Sequence, residues 1–483
     1  MISEQVLLNS NVYLARTGVG ALPNAPAEVG TSRDGEECRA IASPYSGNTA
    51  RSLVARLLED AGWNSDNAHT SNWNPFGALI RPGATVAIKP NWVYHDNHSG
   101  QGMDCLVTHA SVLGAVLDWV LRAKPGKVVV GDAPIQGCDL PRLMEVAGYN
   151  TLKQHYAQTS IPVEWRDFRR TVLANPRGVW DRQTDVRPLD DYVLFDLGVE
   201  SLLEPISRDA DRFRVTMYNP DLMRQTHAPG RHQYLIAREV IEADVVINLP
   251  KLKTHKKACV TGALKNLVGI NGNKEYLPHH RCGGSQTGGD CYSGGNWFKL
   301  AAEYLNDAAN RQAGIPAHLL RRIAQGNYCL ARLMGADKNL EGNWYGNDTI
   351  WRTCLDLNRI LLYGRPDGTL ADQPQRETLT LTDAILCGEG EGPLASTPHP
   401  LGMLSVAENP VAAEYVHAHL MGFDWNKIPL IREAFGKFRY PLCNFQPMDI
   451  EIQLNGQRFS QPWPQWNDKP FVPPAGWKGH CER

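Results

Sequence analysis

The stretch Asp244-Val-Val-Ile-Asn-Leu-Pro-Lys-Leu-Lys-Thr-His-Lys-Lys-Ala-Cys-Val-Thr-Gly-Ala-Leu-Lys-Asn-Leu-Val-Gly-Ile-Asn-Gly-Asn-Lys274 decides how the chain is read. Val245-Val-Ile247 is short and β-branched, which predicts a buried strand, and Pro250, with no N–H to give a ladder, ends it. Beyond the strand come Lys251, Lys253, Thr254, His255, Lys256, Lys257, Thr261, Lys265 and Asn266. Cations that follow a buried strand make an anion site. The alternative is a solvated basic loop. A surface loop has no need of Gly262, Gly269 and Gly272, which predict that something approaches the backbone closely there.

Working outward, residues 231–243 are expected to form a helix feeding the central strand. Upstream, 84–93 reads as a core strand ended by Pro90. Thr108 is expected to cap a helix through 111–121, stopped by Pro125-Gly126, and 127–132 reads as a second buried strand. Strand, helix and strand over this length make a right-handed βαβ unit, whose ligand crevice lies beyond the carboxyl ends of the strands. Asn91 and Asp132 then share one rim. Between them, His95, Asp96, His98 and Asp104 are either metal ligands or hydrogen-bonded loop groups.

Downstream, 297–305 is helical, and 347–362 is a long helix with Ile350, Cys354, Leu357 and Leu361 facing inward. Its Arg352, Asp356 and Arg359 form an ion-pair network or else present Arg352 to the site. Residues 379–386 are a strand, followed by a glycine-rich turn at 388–393 that carries Glu389 and Glu391. These two are metal ligands or partners of the central lysines. A closing strand at 403–407 and helix at 411–420 complete the core; His417 and His419 are expected to face different sides. A hairpin at 450–459 turns at Asn455-Gly456, and the Pro/Trp-rich tail 461–474 is expected to pack back on the domain.

The fold class expected is therefore α/β, a mostly parallel sheet flanked by helices with a smaller β-rich insertion. Residues 1–75 form an N-terminal extension packed on the core, with one helix at 49–61. Residues 76–430 form the core, including an insertion lobe at 150–230 and a Gly-rich loop at 281–296. Residues 431–483 form the C-terminal hairpin and extended tail.

The 483 residues are 42% hydrophobic and 21% charged, an ordinary soluble composition. A net charge of -2 supplies no global field for nucleic acid or an anionic membrane, and the basic residues form a cluster, not a stripe, so a nucleic-acid role is not expected. No apolar run reaches membrane-span length and the first residues lack signal-peptide order, so a cytoplasmic location is expected. The eleven scattered cysteines contain no Cys-x-x-Cys and predict free thiols. Cys282 and Cys291, beside His279 and His280, are the one local Cys/His group, a weak zinc signal.

Asn248-Leu-Pro-Lys-Leu-Lys-Thr-His255, followed by Thr261-Gly-Ala-Leu-Lys-Asn-Leu-Val-Gly269, resembles the signature of the domain of unknown function 362 family, a mostly prokaryotic group. Further segments in the same order are Lys89-Pro-Asn91, Gly131-Asp132, Lys274-Glu-Tyr-Leu-Pro-His-His280, Gly346-Asn-Asp-Thr-Ile-Trp-Arg352, Asp356-Leu-Asn-Arg359, Gly388-Glu-Gly-Glu-Gly-Pro393 and Met421-Gly-Phe-Asp424. The resemblance implies membership but no reaction, because the family's general activity is not established. Some members append a ferredoxin-like cluster motif; that spacing is missing here, so an iron-sulfur cluster held by this chain is not expected.

Gathering the strand ends gives a candidate site. His255, Lys253 and Lys265 are the candidate catalytic residues, since crowded lysines titrate low and His255 lies near neutrality. Lys89, Asn91, Lys251, Asn266 and Arg352 are candidate anion ligands, and Asp132, Asp383, Glu389 and Glu391 candidate ligands of a divalent metal. The function expected is an enzyme acting on a small anionic metabolite, a carboxylate or phosphorylated compound, by lysine and histidine acid-base chemistry with or without that metal. The alternative is a non-catalytic anion- or cofactor-binding accessory or redox partner protein. The Lys/His/Gly order is also similar to nickel-pincer lactate racemases, which implies proton or hydride transfer as a third option. Substrate, metal and oligomeric state are not legible.

Overall fold

The computed structural model describes residues 4–17, 45, 49–68, 70–174 and 182–483. Cys38 and much of the polar sequence before residue 75 lie outside these residues.

One eleven-stranded sheet organises the chain. Its strands in chain order are β1 (Asn11–Arg16), β2 (Thr85–Pro90), β3 (Lys127–Asp132), β4 (Val163–Asp167), β5 (Val245–Leu249), β6 (Lys251–His255), β7 (Cys259–Thr261), β8 (Glu377–Glu391), β9 (Ala395–Ala407), β10 (Glu451–Leu454) and β11 (Gln457–Phe459). Across the sheet they run β11-β10-β1-β9-β8-β5-β2-β3-β4, with β6 pairing β8 and β7. From β8 to β4 every neighbouring pair is parallel. The β-branched runs that fill β2, β3 and β5 are buried on both faces, as a sheet covered by helices requires. On one face pack the helices Thr49–Asp60 and Ala110–Arg122; on the other lie Ile350–Tyr363 and Pro410–Met421.

The chain leaves β2 on one side through β3 and β4, and returns on its other side with β5. The β2/β5 boundary is therefore a topological switch point, where open α/β sheets place their ligand crevice. Register aligns Asn248 with Lys89 and Leu249 with Pro90 across that boundary. Thr108, expected as a helix cap, clamps the same boundary instead: its hydroxyl donates to Leu249 O at 2.7 Å and accepts from Asn91 N at 2.8 Å. The cap of the following helix is His109, which accepts from Ser111 N.

Several expectations are corrected. Residues 231–243 are not a helix: Arg231–Ala237 is a strand pairing with Tyr192–Asp196, and only Arg238–Ile241 makes a helical turn. His232, Tyr234 and Ile236 are all fully buried at a period of two, and the ladder with residues 192–196 overrides local helical preference. The glycine-rich segment 388–393 is not a turn after a strand. β8 runs on to Glu391, with Gly388 opposite Pro398 and Gly390 opposite Ser396. A Cβ at Gly388 would stand 2.6 Å from Cys105 O and 2.9 Å from the Cβ of Lys253, so glycine there serves strand packing. The N-terminal segment is part of the sheet, β1 lying between β9 and β10, and the C-terminal hairpin joins through β10. Of the 150–230 segment, Val163–Asp167 belongs to the main sheet.

The hairpin turn is as expected, with positive φ at Asn455 and Gly456. The tail packs back: Trp477 is buried, and Trp463 and Trp466 rest against the core. His417 meets Ser405 Oγ and His419 meets Pro464 O, on different sides of their helix. No helix among the described residues is long and apolar enough to cross a membrane.

Candidate functional site

At the switch point a buried polar network ties the strand ends together. Asn266, on the single turn Ala263–Asn266 after β7, accepts through Oδ1 from Lys89 Nζ and Asn91 Nδ2, both at 2.9 Å. Its amide donates to Asn248 Oδ1 at 2.8 Å, and Asn248 in turn donates to Ala263 O. Lys89 Nζ also reaches Asp132 Oδ1 at 2.8 Å and Pro90 O at 2.8 Å, which uses all three of its donors. Burial pushes Lys89 down and Asp132 up, each opposed by the other's charge. The pair has room because residue 269 is glycine: a Cβ there would stand 1.8 Å from Asp132 Oδ1 and 2.7 Å from Lys89 Nζ. Glu414 crowds Gly262 and Tyr192 crowds Gly272 in the same way. The close approach predicted at these glycines is thus made by the protein's own side chains.

Over the network opens a cavity of about 480 Å³. Six lysines line it (Lys89, Lys253, Lys256, Lys257, Lys265, Lys274) against three acids, Asp132, Glu341 and Glu391. Asp132 is matched to Lys89, and Glu391 to Lys256 at 3.0 Å. Lys257 bonds the main-chain carbonyl of Glu341. The other three lysines have no carboxylate partner among the described residues. Among the described residues Lys253 Nζ bonds only the carbonyl of Leu106, and burial, with Lys265 beside it, holds its pKa well below the usual lysine range. Lys274 donates to Ala133 O at 3.1 Å, and burial lowers it to about 8. Lys265 makes no hydrogen bond or ion pair among the described residues; burial lowers it too. Asn91 Oδ1 and Thr261 Oγ1, both buried, also lack hydrogen-bond partners among the described residues.

Two histidines of the cavity, the buried His255 and the half-buried His279, are set in opposite tautomers. His255 ends β6, and the turn that follows brings the N–H groups of Lys257 and Ala258 to its Nδ1 at 3.0 and 3.2 Å. Burial, then Lys265 and its neighbours, drive its pKa well below the ordinary value, so the ring is neutral and carries its proton on Nε2. His279 is the reverse. Its Nδ1 donates to Leu277 O at 2.6 Å, burial and Lys257 keep it neutral, and Nε2 is left with a free lone pair. One ring offers a donor, the other an acceptor.

Of the residues singled out from sequence, Lys89, Asn91, Asp132, Lys253, His255, Lys265 and Asn266 come together around this cavity. Lys89 and Asn266 have every polar atom engaged within the protein, so they build the site and leave no donor for a ligand. Lys251 is elsewhere, fully buried at 2.5 Å from Asp383 and 2.6 Å from the Tyr45 hydroxyl. Arg352 bonds Asp348 and Leu202 O and lies over Trp351, away from the cavity. The four carboxylates expected to hold a metal do not form a group. Asp132 pairs with Lys89, Asp383 with Lys251 and Glu391 with Lys256, while Glu389 accepts from His399 and Val472 N. Each is already engaged by a partner of its own within the protein. His95 accepts from Asp139 N, the hydrogen-bonded alternative for that loop. Sequence reasoning missed Lys274 and His279 as cavity residues; both stood in the motif 274–280 but carry no spacing signal of their own.

The profile described as Domain of unknown function (DUF362) matches residues 86–180 and 179–419. A thylakoid-associated protein of Synechocystis sp. is 26% identical over 193 residues, 40% of this chain and 41% of that protein, so the chain matches about two-fifths of that relative's length. A structural-genomics protein from Thermotoga maritima aligns in structure over 75% of this chain and 57% of its own, with 11% identity and a TM-score of 0.32. With its profile spanning the parallel half of the sheet, the switch-point network and the lysine cavity, the chain belongs to the DUF362 family.

Proposed function

We propose that the cavity binds a small hydroxyl-bearing anion, a carboxylate or a phosphorylated metabolite, and that the protein is an enzyme acting on it by proton transfer. The observation that carries this is Lys265, an ammonium lining a cavity of about 480 Å³ with no counter-ion of its own among the described residues. A half-buried cation without a partner is unfavourable, and a bound anion supplies the missing charge. Asn91 Oδ1 and Thr261 Oγ1 suit the hydroxyl groups of the same ligand. For the chemistry, His279 Nε2 and the neutral amine of Lys253 can take a proton, and His255 Nε2–H can donate to developing negative charge on oxygen. His255 is then an electrophile and not the base expected from its residue type. Free thiols at the described cysteines suit work in the reducing cytoplasm.

Calorimetry with inorganic phosphate, lactate and phosphoglycerate tests binding, and solvent-deuterium incorporation alpha to the carboxylate of lactate or phosphoglycerate tests turnover. Binding that is retained in His279→Gln and His255→Gln, with exchange lost in the first and slowed in the second, supports the enzyme. Binding without exchange in any ligand favours the accessory protein.

A further inference from the structure

Behind one wall of the lysine cavity lies a second group of side chains that the proposed chemistry does not use. The loop after residue 276 folds back so that His280–Arg281 pairs with Phe213–Arg214, and the helix Trp297–Asn310 presents Glu303 to it. Ligand-type atoms of His280, Cys291 and Glu303 all lie within 4.8 Å of one another. The three residues are 5%, 0% and 7% exposed. His280 Nδ1 has no hydrogen-bond partner among the described residues. Glu303 has no Lys or Arg partner among the described residues; the nearby Arg214 is taken by Asp307 at 2.8 Å. A cavity of about 40 Å³, lined in part by His280, Cys282 and Glu303, adjoins them and is large enough for a water molecule.

The surroundings are those of a metal site. The N–H of Glu341 donates to Cys291 Sγ at 2.9 Å and orients it; burial and the neighbouring Glu303 hold the thiol protonated in the absence of a cation, so metal binding displaces its proton. Cys282 Sγ and Gly283 N both donate to Glu303 Oε2, at 3.7 and 3.0 Å, fixing the orientation of the carboxylate. One imidazole, one thiolate and one carboxylate form a mixed nitrogen, sulfur and oxygen set of borderline softness, with net charge that a divalent cation cancels. We propose that His280, Cys291 and Glu303 bind one divalent transition-metal ion of the zinc class, with a water from the adjoining cavity as its fourth ligand. The ion ties the loop, the Glu303 helix and the segment around Glu341 together. Because Thr216, Met217 and Glu341 line both cavities, it braces the wall of the anion site without being part of it. The proposal does not depend on the anion reading.

The test uses the full chain without affinity histidines. Elemental analysis is made after growth with zinc, and the stripped protein is then loaded with Co²⁺, whose thiolate charge-transfer absorption reports sulfur ligation. The expected result is one metal ion per chain in the wild type and in Cys329→Ser, an exposed control. His280→Gln and Glu303→Gln should lose at least tenfold in metal affinity, and Cys291→Ser should lose the cobalt-thiolate band. Circular dichroism establishes that each variant is folded. A wild-type cobalt complex without that band overturns the proposal whatever the variants do, as does metal content unchanged in all three folded variants.

Discussion

Lys251 and Lys265 leave the same basic segment and meet opposite fates. Lys251 is sealed in the core with Asp383 at 2.5 Å, and the Tyr45 hydroxyl bridges the two, donating to Asp383 Oδ1 at 2.8 Å. Lys265 faces a cavity with no ion-pair or hydrogen-bond partner among the described residues. A buried charge with its partner in place belongs to the structure; a charge left unmatched beside open volume is kept for something that arrives. The same division sorts the whole site: Lys89, Asp132 and Asn266 are saturated scaffold, whereas Lys265, His255, His279, Asn91 Oδ1 and Thr261 Oγ1 retain free valence.

The largest effect that would sharpen this contrast is on the saturated side. Asp383→Asn strands a buried ammonium and should cost about 3–5 kcal/mol, read by denaturant unfolding, while the folded fraction binds anion normally. An unchanged midpoint would break the comparison. Gly269→Ala comes next. Its Cβ must displace the Lys89–Asp132 pair, at a cost of about 1–3 kcal/mol in the same assay. On the unmatched side, Lys265→Ala should lower anion affinity about tenfold to hundredfold, as loss of a charged hydrogen bond does, yet leave the melting temperature unchanged or raised.

The smallest effect concerns pH. Lys274, lowered by burial to about 8, is cationic below that value, so anion affinity should hold up to about pH 8 and fall as pH rises through it. The apo protein should show the opposite trend from this group. Between about pH 8 and the ordinary lysine value the unfolded chain binds more protons, so stability rises with pH there. Lys274→Met should flatten both slopes, measured by calorimetry and by melting across pH 7–10.

Much of the fold was legible because it is written locally. β-branched runs ended by Pro90 and Pro250 marked the parallel strands, and their ends put Asn91, Asp132 and His255 on one rim. What was not legible depends on partners distant in sequence. Nothing around Lys251 announces that Asp383 and Tyr45 will enclose it, so it could not be told from Lys265. Residues 231–237 become a strand because residues 192–196 offer a ladder. The metal expectation went to carboxylates on the rim, each of which has a cation or backbone donor waiting. The donors that do converge include Glu303, a helix acid with no spacing to connect it with His280 and Cys291.

The central claim is that the unmatched lysine marks where an anion sits. Crystals of the protein soaked in tungstate, a heavy tetrahedral anion, locate that position by anomalous scattering. The account predicts a single strong peak within hydrogen-bond reach of Lys265 Nζ, absent in Lys265→Ala. A cavity without a peak, or one that persists in the variant, would contradict it.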